Sequence, residues 1–294
     1  MEAAGPSGGN CLNQETQEKR RMSLVESSQR GPVALLRLSR AAKRNALSPE
    51  MIAGIERFFR CPPDGTRAIV LYGDGDHFCA GLDLSTISAI TPAAGIQHSR
   101  AWHRAFEQIE HGQVPVIAVM HGAVVGGGLE LAAAAHIRVA ERSAYYALPE
   151  GLHGIFVGGG GSVRIPRLIG TARMMDMMLT GRTYGAEEGA PVGFSHYVVA
   201  DGHGLAKGIE LAERIAANAE LSNFAVIQAL PRIARADPET GLLMESLMAA
   251  IAECDDAAQA RLSAFLEKRT SKVTHRTPCA DAHHNQILHE IGHR

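Results

Sequence analysis

The sequence predicts an α/β fold, and three observations support that prediction. Hydrophobic residues make up 46% of the chain but aromatic residues only 5%, which suits aliphatic strands packed against alanine-rich helices. Residues 114–120 are apolar, rich in β-branched side chains and too few for a buried helix, so they predict a strand buried on both faces. A glycine turn at 126–128 follows, and the alanine- and leucine-rich residues 129–135 then predict a helix.

Upstream segments alternate strand and helix in the same way. Residues 33–38 and 67–73 are short apolar runs that predict strands. Ser48 followed by Pro49 has the order of a helix N-cap and a first helical residue, so a helix is predicted from there to residue 60. A second helix is predicted over 93–111, where apolar residues recur at helical spacing.

The second half of the chain is predicted to be mainly helical. A short strand at 144–147 leads to Glu150, and a glycine run then opens a helix over 162–169. The other predicted elements are a strand at 194–199 and helices at 174–179, 186–189, 203–219, 221–232, 239–252 and 256–268.

These elements predict four regions along the chain. Residues 1–28 are polar without an apolar period and predict a disordered extension. An α/β core is predicted over 29–200, and a mainly helical region over 201–273. The histidine-rich residues 274–294 predict a disordered tail.

Charge and cysteine content exclude several classes of protein. With 29 basic and 31 acidic residues the net charge is −2, which argues against nucleic acid as a partner. Five scattered cysteines without a C-x-x-C pair indicate reduced thiols. No apolar run approaches the roughly 18 residues that span a bilayer, so we expect a cytoplasmic protein that has no membrane partner.

Two glutamates lie close to predicted turns. Glu130 follows the glycine turn at 126–128, and Glu150 lies at a later turn. Helix N-terminal amides lack partners inside the helix, so the turn at 126–128 can present them to an anion. Glu130 lies about one helical turn past Gly127, on the side of those amides. Glu150 follows Pro149, which fixes the backbone before a turn. Taken singly, each glutamate is more simply explained as a solvated surface charge.

Several motifs share one pattern with a known family. They are Pro115-Val116-Ile117-Ala118, His121-Gly122, Gly126-Gly127-Gly128-Leu129-Glu130-Leu131, Pro149-Glu150, Gly158-Gly159-Gly160-Gly161, Arg164-Ile165-Pro166-Arg167-Leu168-Ile169-Gly170 and Phe78-Cys79-Ala80-Gly81-Leu82-Asp83-Leu84. Together they resemble the crotonase superfamily, the enoyl-CoA hydratase/isomerase family, over residues 31–273. The resemblance implies that residues 29–200 form a spiral of repeated ββα units that carries the active site. It also implies that residues 201–273 form a C-terminal helical oligomerisation region for trimerisation, in a homotrimer or homohexamer.

The resemblance also implies roles for individual residues. Glu130 and Glu150 would be the catalytic acids, and the amides of Ala80 and Gly127 would form an oxyanion hole. The residues expected to bind an acyl-CoA substrate are Ala80, Gly81, Leu82, Asp83, Lys43, Arg44 and Gly158. The side chains expected along the acyl group are Leu82, Leu84, Trp102 and Phe156. No cofactor is expected beyond the coenzyme A of the substrate.

The function implied is hydration of a 2,3-enoyl-CoA thioester. Acids at both positions favour hydration over isomerisation, because moving a double bond needs only one base. Alternatives are another enzyme of this type, namely an enoyl-CoA isomerase, an acyl-CoA hydrolase or a hydroxycinnamoyl-CoA hydratase-lyase, and a non-catalytic scaffold.

One further motif lies in the tail. His289-Glu290-Ile291-Gly292-His293 matches the zinc-protease pattern H-E-x-x-H. Such a site needs a rigid helix, whereas this copy contains a glycine next to its second histidine. We therefore expect no functional metal site, and adventitious metal binding by His283, His284, His289 and His293 is more credible than a protease zinc site.

Overall fold

The computed structural model describes residues 24–86 and 91–267. The chain divides into two compact units, one that runs to Ala252 and one that begins at Glu253. The predicted tail and its H-E-x-x-H motif lie outside the described residues.

The larger unit contains nine strands in the described part of the chain. They are β1 (Val25–Arg30), β2 (Val33–Leu38), β3 (Ala68–Gly73), β4 (Val116–Met120), β5 (Ala123–Val125), β6 (Ile137–Glu141), β7 (Tyr145–Ala147), β8 (Tyr184–Gly185) and β9 (Tyr197–Val199). Six form one sheet in the order β1-β2-β3-β4-β6-β9, parallel except for the β1–β2 pair, and a smaller sheet has the order β5-β7-β8.

Helices follow the strands closely. They are α1 (Pro49–Arg60), α2 (Pro92–Glu110), α3 (Gly127–Ala134), α4 (Gly161–Ile169), α5 (Thr171–Thr180), α6 (Ala186–Val192), α7 (Gly204–Ala216), α8 (Glu220–Phe224), α9 (Leu230–Ile233) and α10 (Pro238–Glu253), with α11 (Asp256–Leu266) in the smaller unit. As predicted, the Ser48 side chain accepts a hydrogen bond from the Met51 amide at the start of α1, with Pro49 next to it. None of the helices described has the length and apolar character needed to cross a membrane.

A strand–strand–helix unit repeats along the chain. β4, β5 and α3 form one such unit, and β6, β7 and α4 form the next. Earlier in the chain, parallel bridges join Leu47 to Leu82 and Cys79 to Val124, and they extend the pairing of the small sheet to the segments before α1 and α2. This arrangement confirms the predicted α/β fold of repeated ββα units.

The central strands of the large sheet are buried on both faces. All five residues of β4 are buried, as predicted for this strand. In β3, Ile69 packs into one apolar cluster while the adjacent Val70 packs into the other, because successive side chains of a strand point to opposite faces. The second cluster contains Leu211 of α7. That helix belongs to the core, so the boundary predicted at residue 200 is placed too early.

Residues 25–28, which were expected to belong to the disordered extension, form part of strand β1. β1 pairs antiparallel with β2 along its whole length, from Val25 opposite Leu38 to Arg30 opposite Val33. Five of its six residues are exposed. An edge strand held mainly by backbone hydrogen bonds needs no alternating apolar pattern. The polar sequence of β1 therefore gave no indication of a strand.

Candidate active site

A cavity of about 340 Å³ gathers most of the predicted site residues. It lies between the loop before α2, the first half of α2, the start of α3 and the segment that follows Glu150. Of the predicted residues, those that line it are Ala80, Gly81, Leu82, Leu84, Trp102, Gly127, Glu130, Glu150, Phe156 and Gly158. The apolar lining and the two carboxylates match the character of a small-molecule site.

Glu130 is held by backbone amides. Its Oε1 accepts hydrogen bonds from the Gly159 amide at 2.8 Å and the Gly161 amide at 2.7 Å. A Cβ at Gly161 would lie 2.7 Å from Glu130 Cγ, so this close approach requires glycine. Burial raises the pKa of Glu130, while the glycine amides and the Arg164 charge oppose that rise.

Glu150 sits in a less polar setting. It lies in the 3-10 turn Pro149–His153 and is buried. Its Oε1 approaches the Gly126 backbone, where an added Cβ would be 2.8 Å away. Its Oε2 is buried without a hydrogen-bond partner among the described residues. Burial raises the pKa of Glu150 to about 7, and the charge of Glu130 acts in the same direction.

The expected oxyanion role of the Ala80 amide is not supported. That amide donates to the carbonyl oxygen of Arg44 at 2.9 Å, and a donor already used in the loop is not free for substrate. The loop then runs past Leu47, whose amide donates to Gly81 O at 2.7 Å and whose carbonyl accepts from the Asp83 amide at 3.0 Å. The Leu82 amide lies between these two contacts and points away from Leu47.

The Leu82 and Gly127 amides instead form a neighbouring pair. Neither donates a hydrogen bond to another residue within the ranges that the structure describes. A Cβ added at Gly127 would lie 3.5 Å from Leu82 N, and one added at Gly81 would lie 3.2 Å from Gly127 N. The Gly127 amide is at the first residue of α3, where the helix dipole favours negative charge. These two amides are the better oxyanion-hole candidates.

Asp83 supports the loop rather than the cavity. Its Oδ2 pairs with Arg40 Nη1 at 2.7 Å, and its Oδ1 accepts from Ser85 Oγ at 2.6 Å. The hydrogen bond from Ser85 and the pairing with Arg40 lower the pKa of Asp83 to about 2. Asp83 does not line the cavity, so its predicted substrate contact is replaced by a structural one.

Lys43 and Arg44 are exposed and stand outside the cavity lining. No side-chain ion pair to either residue is found in the described part of the chain. Their expected contact with coenzyme A phosphate remains a prediction.

Asn45 is a site-supporting residue that sequence analysis missed. It is fully buried with φ of 54°, and its side-chain amide donates to Asp74 O at 2.9 Å and His77 O at 2.7 Å. Asparagine adopts positive φ more readily than most residues. The signal for Asn45 in the sequence was its position in a basic loop between a predicted strand and a predicted helix.

Two polar residues of α2 were also missed. His98 stacks on Trp102 with ring centroids 5.9 Å apart, and Ser99 Oγ donates to Gly158 O at 2.5 Å. Both line the cavity one helical turn before Trp102. Their helical spacing from a predicted cavity residue was the signal that could have identified them.

No group of three or more histidine, cysteine or acidic side chains that could hold a metal ion occurs among residues 24–86 and 91–267.

Cys79 is buried, and burial raises the pKa of its thiol to about 12. The thiol donates to Asn45 O and so links the loop before α2 to the segment before α1.

Fold and site together define a crotonase-type protein, a ββα spiral with two carboxylates beside two free amides, one of them at a helix N-terminus. Residues 28–276 match the family model for enoyl-CoA hydratase/isomerase. A solved structure of a candidate enoyl-CoA hydratase from Rhodopseudomonas palustris is 57% identical, with a TM-score of 0.82 over 85% of this chain and 97% of that one. The chain belongs to the enoyl-CoA hydratase/isomerase family.

Curated relatives agree with this membership. Enoyl-CoA hydratase EchA19 of Mycobacterium tuberculosis is 30% identical over 86% of this chain and 97% of its own length. The short-chain-enoyl-CoA hydratase of Clostridium acetobutylicum is 30% identical over 81% of this chain and 93% of its own.

Proposed function

We propose that this protein is an enoyl-CoA hydratase that adds water reversibly across the 2,3 double bond of an acyl-CoA thioester. The observation that carries the proposal is the pair of buried carboxylates, Glu130 and Glu150, on one cavity beside two free amides. Family membership and the names of the relatives support the same activity.

The double bond first has to become electrophilic. It does so when the thioester oxygen accepts negative charge, and the amides of Leu82 and Gly127 would donate to that oxygen. The positive end of α3 adds to their effect. One donor of this kind typically lowers the barrier by about 3 kcal/mol.

Glu130 would act as the general base. Two amides hold its Oε1, which favours the ionised carboxylate and fixes its direction. It would take a proton from a water molecule as the water oxygen bonds to C3 of the substrate. General base catalysis contributes roughly 10²- to 10⁴-fold in rate.

Glu150 would act as the general acid. With a pKa of about 7 it holds its proton in a large fraction of molecules near neutral pH. It would deliver that proton to C2, so the substrate gains one hydrogen and one hydroxyl group. Return of the proton from Glu130 to Glu150 resets the site, and the reverse order of steps gives dehydration.

Crotonyl-CoA tests the proposal. Hydration should remove the enoyl-thioester absorbance, and chromatography should identify 3-hydroxybutyryl-CoA. An isomer, free coenzyme A, or reaction only with feruloyl-CoA would point instead to an isomerase, a hydrolase or a hydratase-lyase. A protein that binds acyl-CoA but converts none of these thioesters would contradict the hydratase proposal.

Lys43 and Arg44 are proposed to bind the phosphates of coenzyme A, which enters with the substrate, and no separate cofactor is proposed. Their exposure next to the loop that carries Leu82 supports this role. Replacing both with alanine should raise KM for crotonyl-CoA while kcat stays within about twofold, because ground-state contacts remote from the reacting atoms mainly affect binding.

A homotrimer or homohexamer in the cytoplasm is also proposed. Exposed apolar side chains on one helix, α10, support self-association, since water-exposed leucine patches mark interaction surfaces. They are Leu242, Leu243, Leu247 and Ile251, each more than 50% exposed in the described chain. Light scattering on the purified protein gives the number of subunits.

A further inference from the structure

Arg164 connects the glycine loop to a half-buried acid, Glu110. It lies in the first turn of α4, and its side chain is 11% exposed. Its Nη1 donates to Gly159 O at 3.1 Å, and its Nε donates to Glu110 Oε2 at 2.7 Å. Glu110 is the last residue of α2. One guanidinium therefore ties the end of α2 to the loop before α4.

The residue held by Arg164 also holds Glu130. Gly159 accepts from Arg164 through its carbonyl oxygen and donates from its amide to Glu130 Oε1 at 2.8 Å. Gly160 has φ of 96°, and a Cβ there would collide with Arg164 Nη1. The loop is thus shaped to let the guanidinium lie against it.

We propose that Arg164, anchored by Glu110, is a positioning residue that fixes the Gly159 peptide against Glu130. Its role in the reaction rests on the hydratase function proposed above. Arg164 acts through Gly159 and does not line the substrate cavity. A displaced Gly159 would let the Glu130 carboxylate turn away from the water that it deprotonates, and small displacements of catalytic groups cost large factors in rate.

Charges around this contact favour an ionised Glu110–Arg164 pair. Burial raises the pKa of Glu110, but Arg164, His111 and Arg235 together outweigh that rise and leave the pKa below its usual value. The Arg164 charge also acts to lower the pKa of Glu130, against the larger effect of burial. The other titratable groups near these residues are His103, His111, His136 and Arg235.

The test compares substitutions at Arg164 with a matched control. Arg167 lies on the same helix, is exposed and makes no ion pair with the described acids, so Arg167→Met removes an equal charge. Arg164→Met should lower kcat for crotonyl-CoA hydration about tenfold to a hundredfold with little change in KM. Arg167→Met should match the parent. Arg164→Lys should be intermediate, since an ammonium group lacks the planar fork that reaches two acceptors.

Glu110→Gln supplies a second variant. It should also lower kcat. The double variant with Arg164→Met should be no slower than Arg164→Met alone, because both changes break the same chain of contacts from Glu110 through Arg164 to Gly159. The acid limb of the kcat profile should also move to higher pH in Arg164→Met. Parental kcat and parental pH profile in a folded Arg164→Met protein would overturn the proposal.

A measurement without substrate separates this proposal from the hydratase function. The Glu130 carboxyl carbon can be titrated by ¹³C NMR, with its signal assigned by loss in Glu130→Gln. Arg164→Met should raise the pKa of Glu130 relative to both the parent and Arg167→Met, even if crotonyl-CoA proves not to be a substrate. An unchanged Glu130 titration would overturn the positioning role while leaving the hydratase proposal intact.

Discussion

Glu130 and Glu150 are the same residue type on the same cavity, yet their surroundings differ. Glu130 stands on a helix, and two backbone amides hold one of its oxygens. Glu150 stands in a short turn, and one of its oxygens is buried without a partner in the described chain. In the proposed mechanism this difference would give identical side chains opposite proton-transfer roles. Burial raises the pKa of both acids, but only at Glu130 do hydrogen bonds from the Gly159 and Gly161 amides oppose that rise and favour a carboxylate that accepts a proton.

The largest effect should come from removing either acid. Glu130→Gln and Glu150→Gln keep the side-chain shape but cannot exchange the proton, so each should lower kcat about 10²- to 10⁴-fold. The parent should also lose kcat/KM above about pH 7 as Glu150 ionises. Steady-state rates on crotonyl-CoA across pH measure both.

Glu107→Gln is the matched control for that pair. Glu107 is an exposed glutamate of α2 outside the cavity lining. Its variant should retain the parental rate. Full activity in Glu150→Gln would remove the general-acid role and leave a one-carboxylate mechanism.

The two candidate oxyanion amides can be separated by replacing single amides with esters. An α-hydroxy acid in place of Leu82 removes the donor that faces the cavity, so kcat should fall about 10²- to 10³-fold. The same replacement at Ala80 removes the hydrogen bond to Arg44 O and should cost about 1 kcal/mol of stability instead. Turnover and thermal unfolding of the two ester proteins provide the comparison. The opposite ranking of kcat would restore Ala80 as the oxyanion donor.

The amide support of Glu130 depends on glycine. Gly161→Ala places a Cβ 2.8 Å from Glu130 Oε1, so the carboxylate or the loop has to shift. We expect kcat to fall roughly tenfold to a hundredfold. Gly185→Ala is the control, since a Cβ there meets nothing within 4 Å. Equal activity of these two variants would show that Glu130 tolerates a displaced loop.

The setting of Glu150 should also affect stability. Its pKa is raised from 4.5 to about 7, so the fold favours its neutral form. The stabilisation that the raised pKa adds to the unfolding free energy is fully present below pH 4.5. It declines as pH rises and is lost once pH passes 7. Relative to the parent, Glu150→Gln should gain about 3 kcal/mol of unfolding free energy between pH 5 and pH 8. Urea unfolding at the two pH values measures it, and a pH-independent difference would contradict the raised pKa.

The sequence was sufficient for the features that local pattern determines. The buried strand before the glycine turn, the start of α1 at Ser48, and the placing of Glu130 beside Gly127 all follow from spacing along the chain. The motif resemblance supplied the ββα spiral and the second acid. These features depend on neighbours in sequence, which an isolated sequence displays.

The features that were missed depend on neighbours in space. Whether Ala80 or Leu82 presents its amide is decided by the pairing of the loop with Leu47 and Arg44, more than thirty residues upstream. The same applies to Asp83, whose side chain pairs with Arg40 and lies outside the cavity lining. β1 was missed because an exposed edge strand places few demands on side chains.

Trp102 is the single tryptophan of the 294-residue chain. It lines the cavity, stacks with His98 and lies so close to Gly127 that a Cβ there would be 2.5 Å from its ring. The tryptophan fluorescence of the protein, excited at wavelengths that tyrosine does not absorb, therefore comes from one indole beside the proposed catalytic groups. Emission intensity and wavelength should report occupancy of the cavity directly, so a ligand titration needs neither a label nor turnover.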